Sequence, residues 1–251
     1  MEQIKTHLHL GYLYEPPMRD EWIAYIRGMS QLLDSPPYRL PQGENGSTPE
    51  KIPENGDGAV DLLLYCERGR PWWQRWLGTI PSRQLIERAT SSVLVTRDPR
   101  WPVRRILLIL RADESDEAAI QWLGELARPS RAELFVLPIV PPLPAMYRYG
   151  SIPLQAEVLL APNTYSGAQL RRLLFLSTQW GVSGTLLLHS SEPQQRIRWA
   201  ITASECDLII LSDEPYHWLQ RWFFGELVRP LLRWVDRPTL IARSMPEHAR
   251  T

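Results

Sequence analysis

Apolar runs and polar breaks alternate along this chain with two distinct periods. In the second half, "RRILLIL" (104–110) is a continuous apolar run of strand length, the pattern of a strand covered on both faces. "DESDEAAIQWLGELA" (113–127) follows, with Ala119, Ile120, Leu123, Leu126 and Ala127 at helical spacing and Ser115 or Asp113 placed to cap the helix. "AELFVLPIV" (132–140) predicts the next strand, stopped by Pro141 and Pro142. A proline-interrupted loop to about 166 precedes a helix at "SGAQLRRLLFLSTQW" (166–180) and a strand at "VSGTLLLH" (182–189). "PQQRIRWAITASE" (193–205) predicts a helix with Pro193 in its first turn, and "CDLIIL" (206–211) a strand. A Trp-rich stretch then leads into a helix, and "TLIAR" (239–243) closes the series. Such strict alternation predicts parallel strands with helices on both faces. Residues 103–246 therefore read as one complete five-stranded, doubly wound α/β domain.

The first half carries a shorter version of the pattern. "HLHLGYLYEP" (7–16) predicts a strand. "MRDEWIAYIRGMSQLL" (18–33) predicts an amphipathic helix with Trp22, Ile23, Ile26, Met29, Leu32 and Leu33 on one side. Turn formers and charge dominate 34–58, predicting a long mobile loop that holds at most one weak strand at "YRL". "SSVLVTR" (91–97) predicts a closing strand, and "DPRWP" (98–102) a stiff linker. Residues 1–98 thus form a first domain too short to be complete, and the strand–helix unit it lacks is assigned to its opening.

The two halves are related. "RPWWQRWLGTIPSRQLIERATSSVLVTR" (70–97) and "YHWLQRWFFGELVRPLLRWVDRPTLIAR" (216–243) share W-x-Q-R-W, a glycine, a helix-like stretch and a β-branched strand closed by Arg. "AVDLLLY" (59–65) precedes one and "ECDLIIL" (205–211) the other, each with Asp ahead of an aliphatic run. Tryptophan is scarce enough that this agreement marks a duplication.

Composition narrows the function classes. The formal net charge is 0, so no global field recruits nucleic acid or anionic lipid, and no nucleic-acid partner is expected. The two cysteines, Cys66 and Cys206, sit in unlike settings and make no disulfide framework. "MEQIKTHLHL" lacks the basic start and apolar core of a signal peptide, and runs such as "ILLIL" (106–110) are too short to cross a bilayer. A reducing, cytoplasmic setting is expected, with no transmembrane segment.

The second half resembles the universal stress protein family over nearly its whole length. "SEPQQRIRWA" matches that family's turn into a helix, "CDLIILS" its Asp-led strand, and "RPTLIAR" its closing strand. The first half resembles the closing part of the same family from Asp61 to Arg97. The resemblance implies two Rossmann-like α/β/α sandwiches in tandem, the first incomplete, meeting as a pseudo-dimer through the last strand of each. Many family members bind ATP with a first-strand Asp and a glycine-spaced loop whose backbone amides cradle phosphate. Carried over residue by residue, the first-strand Asp position is Arg111, and Ala112-Asp113 follow it. The loop glycines fall at Ser212, Pro215 and Trp218; Gly225 persists, and Glu226 stands where a hydroxyl belongs. Pro215 has no N–H to give, and Glu226 repels a triphosphate. In the first copy Gly69, Gly78 and Thr79 persist, while Cys66 and Trp72 replace glycines.

The expectation is a non-catalytic, stress-related regulatory or interaction module that has lost ordinary ATP binding and needs no cofactor. The alternative is an adenine-nucleotide binder with a remodelled cleft and ATP as its ligand. Trp72, Trp73 and Trp76 in one copy, and Trp222 and Phe223 in the other, either fill the emptied cleft or project as an anchor. The second case implies a protein partner or peripheral contact with a membrane surface. His7 and His9 share a strand face but have no third ligand nearby, so no metal site is expected. Cys66 lacks an identifiable His partner, and no residue is assigned a catalytic role.

Overall fold

The structure, a computed structural model, describes residues 8–41, 60–69, 81–111, 116–139, 165–189, 193–213 and 228–244. In chain order the first half contributes β1 (Leu10–Tyr14), α1 (Asp20–Leu32), β2 (Tyr38–Arg39), β3 (Leu62–Cys66), α2 (Pro81–Arg88) and β4 (Ser92–Thr96). The second contributes β5 (Arg105–Arg111), α3 (Glu117–Ser130), β6 (Glu133–Ile139), α4 (Tyr165–Trp180), β7 (Gly184–Leu186), α5 (Pro193–Ser204), β8 (Leu208–Ser212), α6 (Val228–Trp234) and β9 (Thr239–Ala242).

These strands form one nine-stranded sheet in the order β2-β1-β3-β4-β9-β8-β5-β6-β7. Every neighbouring pair is parallel except β4 and β9, which run antiparallel with Leu94 opposite Leu240. The continuous apolar runs are explained by burial on both sides. All five residues of β3, β4 and β8 and all four of β9 are buried. Alternate side chains then feed two cores, because successive Cβ atoms point to opposite faces. Leu62, Leu64, Ile106, Leu108, Leu208, Ile210 and Leu240 pack on one side with Trp22 and Met29 of α1, Ala119 and Leu123 of α3 and Leu170 of α4. Leu63, Leu107, Ile109, Ile209 and Ile241 pack on the other with Leu85 of α2, Ile197 of α5 and Leu231 of α6. The result is a three-layer α/β/α sandwich.

The Asp that opens each repeated strand has a structural task. Asp61 accepts the His9 amide at 2.8 Å, just ahead of β1. Asp207 accepts the amides of Arg104 and Arg105 at 2.9 and 3.0 Å, where β5 starts. Each carboxylate therefore pins the start of the parallel neighbour of its own strand. His9 leans on Asp61 as well, its Nδ1 3.2 Å away. Among the described residues, no group of three or more His, Cys, Asp or Glu is placed to hold a metal.

The same comparison corrects the expectation that the first half lacks its opening unit. β1 lies beside β3 as β5 lies beside β8, so the opening strand is present. The shortening falls later. Only residues 40–61 separate β2 from β3, against residues 140–207 between β6 and β8, a stretch that includes α4, β7 and α5. Accordingly β2 is the outermost described strand on its side, whereas β7 lies outside β6. The weak "YRL" strand is there as two exposed residues; the rest of the expected loop lies outside the described residues from 42 onward. No helix among the described residues is long and apolar enough to cross a membrane.

The linker residue Trp101 is fixed from below. Its ring meets Tyr25 edge-on, with centroids 5.8 Å apart, and its indole covers Gly28 so closely that a Cβ there would overlap the ring. Gly28→Ala sets a gain of about 1 kcal/mol in helix propensity against about 1–3 kcal/mol of overpacking, and the clash wins. Thermal unfolding should show Gly28→Ala less stable than the parent. In a Trp101→Ala background the same change should become stabilising by about 1 kcal/mol; equal effects in both backgrounds would contradict this packing.

Candidate functional site

Doubly wound sheets bind ligands beyond the carboxyl ends of their strands, where the chain leaves a central strand in opposite directions. In the second half that point lies between β5 and β8, whose last residues are Arg111 and Ser212. Arg111 is tied there to its own chain. Its backbone N–H donates to Asp116 Oδ2 at 2.6 Å, and its Nε lies 3.4 Å from Asp116 Oδ1. Both side chains are withdrawn from solvent, at 8% and 0% exposure.

Asp116 immediately precedes α3, yet it makes no side-chain cap bond; its carboxylate is turned back onto the strand end instead. Its backbone carbonyl still starts the helix by accepting from Ile120 at 3.0 Å. The expected cappers, Asp113 and Ser115, lie outside the described residues. This choice has an electrostatic consequence. The dipole at a helix N-terminus favours negative charge nearby, and Asp116 stands there while its carboxylate bonds to Arg111 rather than to the first-turn amides. Glu117 adds a second acid in the first turn, which Arg172 engages through both nitrogens of its fork.

Ser212 is 3% exposed, and its hydroxyl has no hydrogen-bond partner among the described residues. The next residue, Asp213, is held by its own N–H on Ala242 O at 2.8 Å and by Arg243 Nη2 at 2.6 Å.

The corresponding point in the first half lies at Tyr14 and Cys66, which are in register across β1 and β3. Glu15 closes it, donating its amide to Cys66 O at 2.9 Å and accepting from the Tyr65 hydroxyl at 3.2 Å and the Arg68 amide at 3.1 Å. Cys66 is fully buried and free of any disulfide. Burial pushes its thiol up to about 12, against a small opposing effect of the Thr96 hydroxyl, so it is no nucleophile at neutral pH. A Cβ at Gly69 would meet no atom within 4 Å, so close packing does not require glycine at this position.

Ala112, Asp113, Pro215, Trp218, Gly225, Glu226, Gly78 and Thr79, with the aromatic candidates Trp72, Trp73, Trp76, Trp222 and Phe223, lie outside the described residues. Of the nucleotide-site positions, the structure brings together Arg111 and Ser212 at adjacent strand ends. Sequence reading missed Asp116 as the partner of Arg111. It also missed Glu67 and Asp213, acids that follow β3 and β8 and pair with Arg97 and Arg243. One signal was available: acid and arginine recur with the same separation in both copies.

The thiols give a measurable consequence. Cys206 is likewise pushed up to about 11, chiefly by burial. A thiol whose folded pKa is raised above its ordinary value of 9.0 stays protonated while the unfolded chain ionises. Its contribution is fully present below about pH 9 and falls as pH rises from there towards 12. Mass spectrometry should therefore find both cysteines unmodified by iodoacetamide at pH 8 in the native protein and fully modified in denaturant. Fast native labelling of Cys66 would contradict the buried site.

Comparison with known proteins follows the same line. The universal stress protein family model matches residues 102–243. A universal stress protein from Archaeoglobus fulgidus DSM 4304 aligns over 96% of this chain and 87% of its own, with a TM-score of 0.56 and 10% identity. A putative universal stress protein from Pseudomonas aeruginosa UCBPP-PA14 aligns over 95% and 83%, with a TM-score of 0.51 and 15% identity. A functionally unknown protein from Pseudomonas aeruginosa PAO1 aligns over 98% and 85%, at 0.51 and 14%. At these identities the likeness concerns the fold. No curated protein matches the chain significantly. With more than half of its length matched by the family model, and with that family's mostly parallel α/β sandwich, the chain belongs to the universal stress protein family.

Proposed function

We propose that this chain is a non-catalytic regulatory or interaction module of its family, in which the strand-end crevice is satisfied from within rather than by ATP. The observation that carries the reading is the Arg111–Asp116 pair, buried at the end of β5 and the start of α3. A nucleotide needs a polar acceptor for its nucleoside and unpaired amides for its phosphates. At this strand end a guanidinium stands at the acceptor position, and its charge is met by the Asp116 carboxylate of the chain itself. The residues present do not fit ATP in the family's usual way.

Two further points support the reading. Cys66 is buried, and burial pushes its thiol up to about 12, which keeps it protonated at neutral pH. The two halves read as truncated and complete copies of one fold, joined through β4 and β9 as a pseudo-dimer within one chain. In this reading the protein works in a reducing cytoplasm, where its two buried thiols stay free. A second reading, an adenine nucleotide in a remodelled cleft, draws on the Ser212 hydroxyl, which has no hydrogen-bond partner among the described residues.

Isothermal titration of the full chain with ATP and magnesium separates the two. The proposal expects no saturable heat at ligand concentrations up to the millimolar range, and no phosphate release above the blank. Saturable binding at micromolar concentration, abolished by Ser212→Ala, would replace it with the second reading.

A further inference from the structure

Arg97 and Arg243 close the two repeats 146 residues apart, and Glu67 and Asp213 are separated by the same 146. Each arginine grips the acid of its own half. Arg97 donates Nε and Nη2 to Glu67 Oε2 at 3.0 and 2.8 Å, and Arg243 donates Nε and Nη2 to Asp213 Oδ2 at 3.1 and 2.6 Å. Each also reaches across to the other half. Arg97 Nη1 donates to Val235 O at 2.6 Å, just past the end of α6. Arg243 Nη2 donates to Ile86 O at 2.7 Å, in the last turn of α2.

The last carbonyls of a helix lack partners and carry the negative end of its dipole, so a cation is favoured there. A planar guanidinium can hold a carboxylate and a carbonyl together; a lysine ammonium has no such fork. We propose that Arg97 and Arg243 form a reciprocal brace, each linking the strand-end acid of its own half to the last helix of the other half. Loosening one strand end therefore loosens the opposite helix. The two arms differ in strength. Arg97 and Glu67 are 4% and 2% exposed, and Ser82 adds a third bond to the same oxygen at 2.9 Å. Arg243 and Asp213 are 20% and 29% exposed, which makes theirs the arm that yields first.

Hydrogen exchange read by mass spectrometry on the full chain tests this. Arg243→Lys keeps the charge beside Asp213 but gives up the fork. Exchange in peptides spanning α2 should rise about ten-fold, the effect of losing one charge-assisted bond, while peptides from β5 and β6 stay unchanged. Arg97→Lys should do the same to peptides spanning α6. Arg83→Lys, on the exposed face of α2, should leave α6 unaffected. Faster exchange confined to the half that carries the substitution, or no change, overturns the brace. If Arg97→Lys unfolds the whole chain, Arg243→Lys decides alone, because its partly exposed pair tolerates the change.

Discussion

The antiparallel seam between β4 and β9 is the constraint on which the rest of the molecule depends. Both strands are buried along their whole length, and Val93, Leu94 and Val95 face Ile241, Leu240 and Thr239. Left unpaired, either would be a flat apolar edge with a row of open amides and carbonyls, the feature that soluble proteins avoid. Pairing them removes two edges at once and merges two parallel half-sheets into one. Because that pair alone is antiparallel, the carboxyl ends of the two halves' strands point in opposite directions.

A buried seam forces its polar neighbours to be satisfied locally, since an unpaired buried group costs about 1–3 kcal/mol. Ser92 exchanges bonds with both the N–H and the carbonyl of Arg243, at 2.9 and 3.2 Å. Arg97, withdrawn from water, finds three acceptor contacts on Glu67 and Val235. The same need acts at the end of β5, where Arg111 turns to Asp116. Packing and chemistry are thus linked: a strand end that satisfies its own charges has less to offer a ligand.

Much of this was legible in the residues. Runs such as "RRILLIL" and "CDLIIL" have no polar interruption because helices cover both sheet faces, and that pattern needs only local sequence to be seen. The Asp ahead of each strand was visible as a repeat, though its task of pinning the neighbouring strand was not. The missing unit was misplaced because periodicity identifies an element without naming its neighbours; strand order is a tertiary fact. Asp116 was passed over for a related reason. A capping residue is chosen locally by type, but this carboxylate turns back five residues to the Arg111 backbone N–H and guanidinium at the strand end. Thirteen of the expected site positions lie outside the described residues, so the aromatic stretches stand as read from sequence.

The most direct test follows the Arg111 side chain itself. In an arginine-selective nitrogen-15 spectrum of the full chain, the Arg111 Nε–H, assigned by Arg111→Lys, should be protected from solvent exchange. It should also keep its shift as ATP and magnesium are added. A signal that exchanges rapidly, or that moves in step with nucleotide concentration, would show the strand end open and would contradict the account.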